Sequence, residues 1–150
     1  MRKIGLIAIF LTFGMLLSCA TTPPIPTKSG LPEITICGIG KNELMEKFVA
    51  GMSMGGATIR SSNNFQIVVG QPVTNPMLAA LYGSRYNSTP ELRYIFTFAD
   101  TGNCTYIGAR VQIVTNPGSG FEQVNDFSRG KDAYNVQHEL EQLKSAAEGR

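Results

Sequence analysis

The chain is poor in the residue types on which most enzyme chemistry depends. Its 150 residues include one histidine, His138, and three cysteines. One imidazole with Glu141 at i+3 offers two ligands on a helical face, and two do not fill a tetrahedral metal site. No cysteine spacing completes one, so neither a metal nor a cofactor is expected. Lys and Arg form no run, and the electrostatic footprint of a nucleic-acid binder is missing. Nothing resembles a polybasic membrane patch either. No apolar run reaches the ~20 residues that a membrane-spanning helix needs. The longest, Ile4–Leu17, is further weakened as a helix by Gly5 and Gly14. There are no internal repeats.

What is present starts with that short run. Arg2 and Lys3 precede it, and Ser18 and Cys19 close it. A basic start, an apolar stretch and a small residue before a cleavage point form a secretory signal. The ending Leu16-Leu17-Ser18-Cys19 resembles the lipobox of bacterial lipoproteins, Leu-x-small-Cys. The resemblance implies that residues 1–18 are removed, that the Cys19 thiol receives a diacylglycerol, and that the new amine is acylated. One acyl chain binds a bilayer marginally, whereas two or more anchor stably. Ala20, in place of an aspartate after the cysteine, implies sorting to the outer membrane, facing the periplasm, rather than to the inner membrane.

Loss of Arg2 and Lys3 with the signal leaves eleven basic against eleven acidic side chains, a neutral mature chain. Residues 20–32 carry four of the eight prolines. Such a segment is extended and poorly packed, and reads as a tether from lipidated Cys19 through Pro32 with a reach of roughly 40 Å. It lacks a Pro-rich docking motif with a basic anchor. Residues 33–150 are then one domain, long enough to bury a core. In an oxidising periplasm Cys37 and Cys104 can pair as a disulfide, with two buried free thiols as the alternative.

Glu33–Gly38 alternates with β-branched residues and is a strand. Asn42 is placed to cap a helix whose apolar face is Leu44, Met45, Phe48, Val49 and Met52, with Gly51, Gly55 and Gly56 ending it. Strands follow at 57–61 and 65–70, joined by Ser62-Asn63-Asn64. Pro76–Gly83 reads as a short helix. Leu92–Ala99 and Cys104–Thr115 are the strongest strands, joined through Asp100-Thr101-Gly102-Asn103. In the second, Ile107, Ala109, Val111 and Ile113 face a core. Asn116–Lys131 reads as one long loop. A last helix, capped by Asp132, carries the stripe Val136, Leu140, Leu143 and Ala147.

The order β-α-β-β-(α)-β-β-α predicts an α+β fold, an antiparallel sheet with helices on one face. That order resembles small helix-grip or TBP-like domains of envelope lipoproteins, among them an accessory lipoprotein of the outer-membrane β-barrel assembly machine. Leu31-Pro-Glu-Ile-Thr-Ile and the later Thr-Asn-Pro-Gly-Ser-Gly-Phe-Glu resemble small proteobacterial envelope lipoproteins. The resemblance implies a compartment and not a reaction.

Gly51-Met52-Ser53-Met54-Gly55 matches the Gly-x-Ser-x-Gly of the hydrolase nucleophile elbow, and Ser53 with Asp100 or Asp126 and then His138 follows a permitted triad order. The elbow needs a strand running into a helix. Here a helix runs into a strand, so the glycines read as helix termination. Gly38-Ile39-Gly40-Lys41 lacks the remaining residues of a phosphate-binding loop.

Surface loops are the better candidates. Residues 116–131 exceed the usual connection length and carry Phe121, Val124 and Phe127. Tyr82, Arg85 and Tyr86 are residue types enriched at binding hot spots. The expected function is a non-catalytic, lipid-anchored module binding an envelope protein. A hydrolase using Ser53 is one alternative. A carrier of a small ligand or lipid, with Tyr94, Phe96 and Phe98 lining a groove on the sheet, is another.

Overall fold

The computed structural model describes residues 24–149. The signal segment and Cys19 lie outside the described residues. Six strands form one antiparallel sheet: β1 Glu33–Cys37, β2 Thr58–Ser62, β3 Gln66–Pro72, β4 Glu91–Asp100, β5 Cys104–Thr115 and β6 Gln123–Asp126. Three helices accompany them: α1 Lys41–Met54, α2 Pro76–Tyr82 and α3 Lys131–Ala147. The strands run β1-β5-β4-β3-β2, and β6 also pairs with β5. The fold is α+β, with α1 and α3 on one face of the sheet and α2 in the connection between β3 and β4.

The long hairpin β4–β5 forms because both strands alternate apolar and polar residues around the Asp100–Asn103 turn, where Gly102 takes φ +74°. Its inner face carries Phe96 and Phe98 opposite Ala109 and Ile107. Phe48 of α1 meets both rings edge-on, at centroid distances of 4.5 and 5.5 Å. Ile36, Leu44, Ile67, Val69, Val111, Ala133 and Leu140 complete the core.

Strands β1 and β6 lie end to end along the same edge of β5. β1 pairs with Cys104–Gly108 and β6 with Gln112–Thr115. The gap between them is closed by other groups. The Ala109 N–H donates to the Pro32 carbonyl at 2.8 Å. The Val111 N–H donates to Ser128 Oγ at 3.1 Å, and the Ser128 hydroxyl donates back to the Val111 carbonyl at 3.3 Å. One edge of the sheet is β2, which is short, polar and bulged between Ile59 and Ser61, features that discourage edge-to-edge pairing. The outer edge of β1 is met by Gln137, Lys144 and Glu148 at the α3 side.

Several expectations are corrected. Neither Asn42 nor Asp132 caps a helix. The N-caps are Gly40 and Gly130, neither of which supplies a side-chain bond. α1 continues through Gly51 and stops at Gly55 and Gly56. The 116–131 segment is not one loop, because β6 lies inside it. The tether does not stay unpacked as far as residue 32. Ile25 is only 2 % exposed and belongs to the core, Pro32 is buried, and Thr27 Oγ donates to the Leu31 carbonyl to close a compact turn.

Candidate functional site

The structure places α1 over the β2–β4 half of the sheet and α3 over β1 and β5. A cleft of about 670 Å³ opens between them. Phe48 and Met52 of α1 form one wall, Val136 and Leu143 of α3 the other, and Val69, Tyr94 and Phe96 the floor. Polar groups stand at its margin: Gln71, Asp132, Asn135 and Glu139. Small-molecule sites are typically mostly apolar concavities of ~300–1,000 Å³ with a few polar groups. Tyr94 and Phe96, read from the sequence as groove residues, do line it. Phe98 does not; it is buried beneath Phe48.

Tyr94 is the polar group on the floor. Its ring lies nearly parallel to that of Phe96, with centroids 6.4 Å apart. Burial first, and the nearby Asp132 carboxylate second, push its hydroxyl up to about 12. The phenol is protonated at neutral pH with or without this shift, and it is a hydrogen-bond donor among the residues that line the cleft. Gly51, also in the lining, is a helical residue whose Cβ position faces open space.

The Ser53 constellation is not assembled. Ser53 sits in the last turn of α1. Asp100 is paired with Lys41 at 3.3 Å, in the first turn of the same helix, and twelve residues of helix span ~18 Å. Asp126 is engaged by the Ser128 N–H at 2.8 Å, and the exposed His138 ring bonds Gln142 at 3.0 Å. Among the described residues no three His, Cys, Asp or Glu side chains are grouped to hold a metal.

The surface candidates separate into two kinds. Phe127 and Tyr82 are not displayed; they pack edge to face at 5.3 Å and both are half-buried. Phe121 is 82 % exposed, Tyr86 and Arg85 are exposed, and Val124 is partly so. The turn that displays Phe121 is held firmly. Asn116 adopts φ +51° and accepts from Ser84 Oγ at 2.6 Å, while Glu122 accepts from the Gly118 N–H at 2.8 Å. Cys37 and Cys104 are register partners on β1 and β5 and form a disulfide, with Cα atoms 4.0 Å apart.

Sequence reasoning missed the charged cluster on the outer face of the sheet. Glu91, 4 % exposed, is paired with both Arg60 and Arg93, and Arg93 also binds Glu122. The alternation of β4 put Glu91 and Arg93 on one face, but their partners come from β2 and from the turn before β6. No protein-family model, curated protein or solved structure matches this chain.

Proposed function

We propose that the chain is a lipid-anchored lipoprotein of the bacterial envelope that acts by binding, and that the cleft between α1 and α3 receives a small apolar or amphipathic ligand. The cleft is the observation that carries the reading. It joins an apolar floor and walls to one phenol among the lining residues and a polar margin, the composition of a ligand site rather than of a reaction centre. The lipid anchor is supported by the Leu16–Cys19 sequence and the proline-rich segment that follows.

Gly51→Phe tests the site. The new side chain enters free space, and replacing a helical glycine by phenylalanine favours α1 by about 0.5 kcal/mol. The variant should fold at least as well as the parent while its cleft is filled. Native mass spectrometry of the gently extracted parent should show a bound small molecule that Gly51→Phe lacks. Equal ligand in both, or none in the parent, counts against the cleft.

A further inference from the structure

Six of the seven exposed large apolar side chains among the described residues lie at one end of the sheet. Met54 ends α1 just before β2, whose first residue pairs with Gly70 near the end of β3. Met77 and Leu81 belong to α2, which links β3 to β4, and Tyr86 follows in the same connection. Phe121 lies between the end of β5 and the start of β6, and Val124 is the second residue of β6. These connections share an end because Pro72 pairs with Glu91, Glu91 with Val114, and Val114 with Val124. The exception, Phe65, sits at the far end with the Lys41 ammonium 4.8 Å from its ring centroid.

The N-terminal chain approaches from the same end. β1 runs antiparallel to β5, so Glu33 lies opposite Gly108 and Cys37 opposite Cys104. The residues before Glu33 therefore come from the direction of Thr115. Because Ile25 is fixed in the core, only residues 20–24 separate it from Cys19. Fully extended, that length of chain spans ~20 Å at most. The carboxylates of this end, Glu91 and Glu122, are both paired with arginines, while Arg85 is exposed. Little here would repel an anionic surface.

We propose that this end docks on the bilayer that holds the Cys19 lipid, with Met77, Leu81, Tyr86 and Phe121 entering the headgroup region. The proposal rests on the lipoprotein reading for its anchor, and on the arrangement of the connections for its contact face. Exposed apolar patches of this kind mark protein or membrane contacts. The short leash favours the membrane, since it holds Ile25, and with it the domain, within about 20 Å of the lipid. Tyrosine suits the interface because its ring is apolar and its hydroxyl remains wet. The acyl groups supply attachment; the apolar end sets which way the domain faces.

The chain contains no tryptophan, so a single introduced one reports alone. The full chain carrying Leu81→Trp, Phe121→Trp or Phe65→Trp is reconstituted into phosphatidylethanolamine–phosphatidylglycerol vesicles containing brominated acyl chains. Intact mass first establishes whether Cys19 carries acyl groups. The emission at 81 and 121 should shift to the blue and be quenched several-fold more than that at 65. Equal quenching at all three positions, or none at 81 and 121, overturns docking. So does a shift at 121 that appears only on adding envelope protein, which assigns this end to a protein partner. A chain without acyl mass overturns the anchor; added to the same vesicles from solution, it still decides docking by the same comparison.

Discussion

Arg93 on β4 donates through both terminal guanidinium nitrogens to the two carboxylate oxygens of Glu122, at 2.8 and 3.2 Å. This pair fixes the turn that presents Phe121. Arg93 first, then the Gly118 N–H, hold the Glu122 carboxyl down to about 2 from its ordinary 4.5. A carboxyl depressed on folding contributes stability that is complete above the unfolded value and lost as pH falls toward the folded one. Glu122→Gln should therefore destabilise the domain near neutral pH by about 1 kcal/mol, a value discounted for the solvent around the pair. The gap between variant and parent should close as pH falls from 4.5 to about 2. Urea titrations at several pH values measure it, and a gap that does not change with pH would remove the ion pair from the explanation.

Ser128→Ala removes the acceptor of the Val111 N–H in the gap between β1 and β6, while the Val111 carbonyl keeps the Phe127 N–H at 2.8 Å. Ser128 is buried, so water does not readily replace it. The expected loss is about 1–3 kcal/mol. Amide exchange at Val111 should accelerate more than at Ile107, which lies in the β1 pairing. Uniform acceleration at both sites would mean the effect is global.

Gly70 lies under the Glu91–Arg60 pair. A Cβ at this position would come within 2.7 Å of the Glu91 carboxyl carbon and 2.9 Å of Arg60 Nε. Gly70→Ala should separate Glu91 from Arg60 and cost about 1–3 kcal/mol, as overpacking does. Pairing it with Arg60→Ala, which vacates part of that space, should give less than the sum of the two losses. A fully additive double-mutant cycle would show that the contact is irrelevant.

The cross-link between Cys37 and Cys104 spans 67 residues of sequence. Constraining an unfolded loop of that length is worth about 4 kcal/mol in chain entropy. Replacing both cysteines with serine should lower the thermal midpoint, and adding reductant should lower the parent's and leave the variant's unchanged. Non-reducing peptide mapping that finds two free thiols would dispose of the bond itself.

The sequence shows most plainly the elements held together by their own pattern. The β4–β5 hairpin is legible because its apolar alternation and its turn residues agree. The faces of α1 and α3 are legible from Leu44, Phe48, Val136 and Leu140. The helix starts are less so: Asn42 and Asp132 are good capping residues, but each lies inside its helix, behind glycines that cap with no side chain. β6 is short and polar, and its strand character comes from the stretch of β5 that β1 leaves open. Ile25 stands among prolines and gives no local sign that it joins the core. The floor of the cleft could be read from Tyr94 and Phe96. Its width could not, because the separation of α1 and α3 is written in neither helix.

For the proposed anchoring by the first residues, the same cross-link has a mechanical consequence. Any drag on the N-terminal chain reaches the folded part through Ile25 and then β1. Tension arriving at Glu33 works along the β1–β5 seam toward Cys37, where the sulfurs join that strand to Cys104. Tearing there stops at a covalent bond. A domain moored in this way would shed its leading strand under load and then bear the load at Cys104, the first residue of β5, with residues 38–103 bypassed by the sulfur bridge.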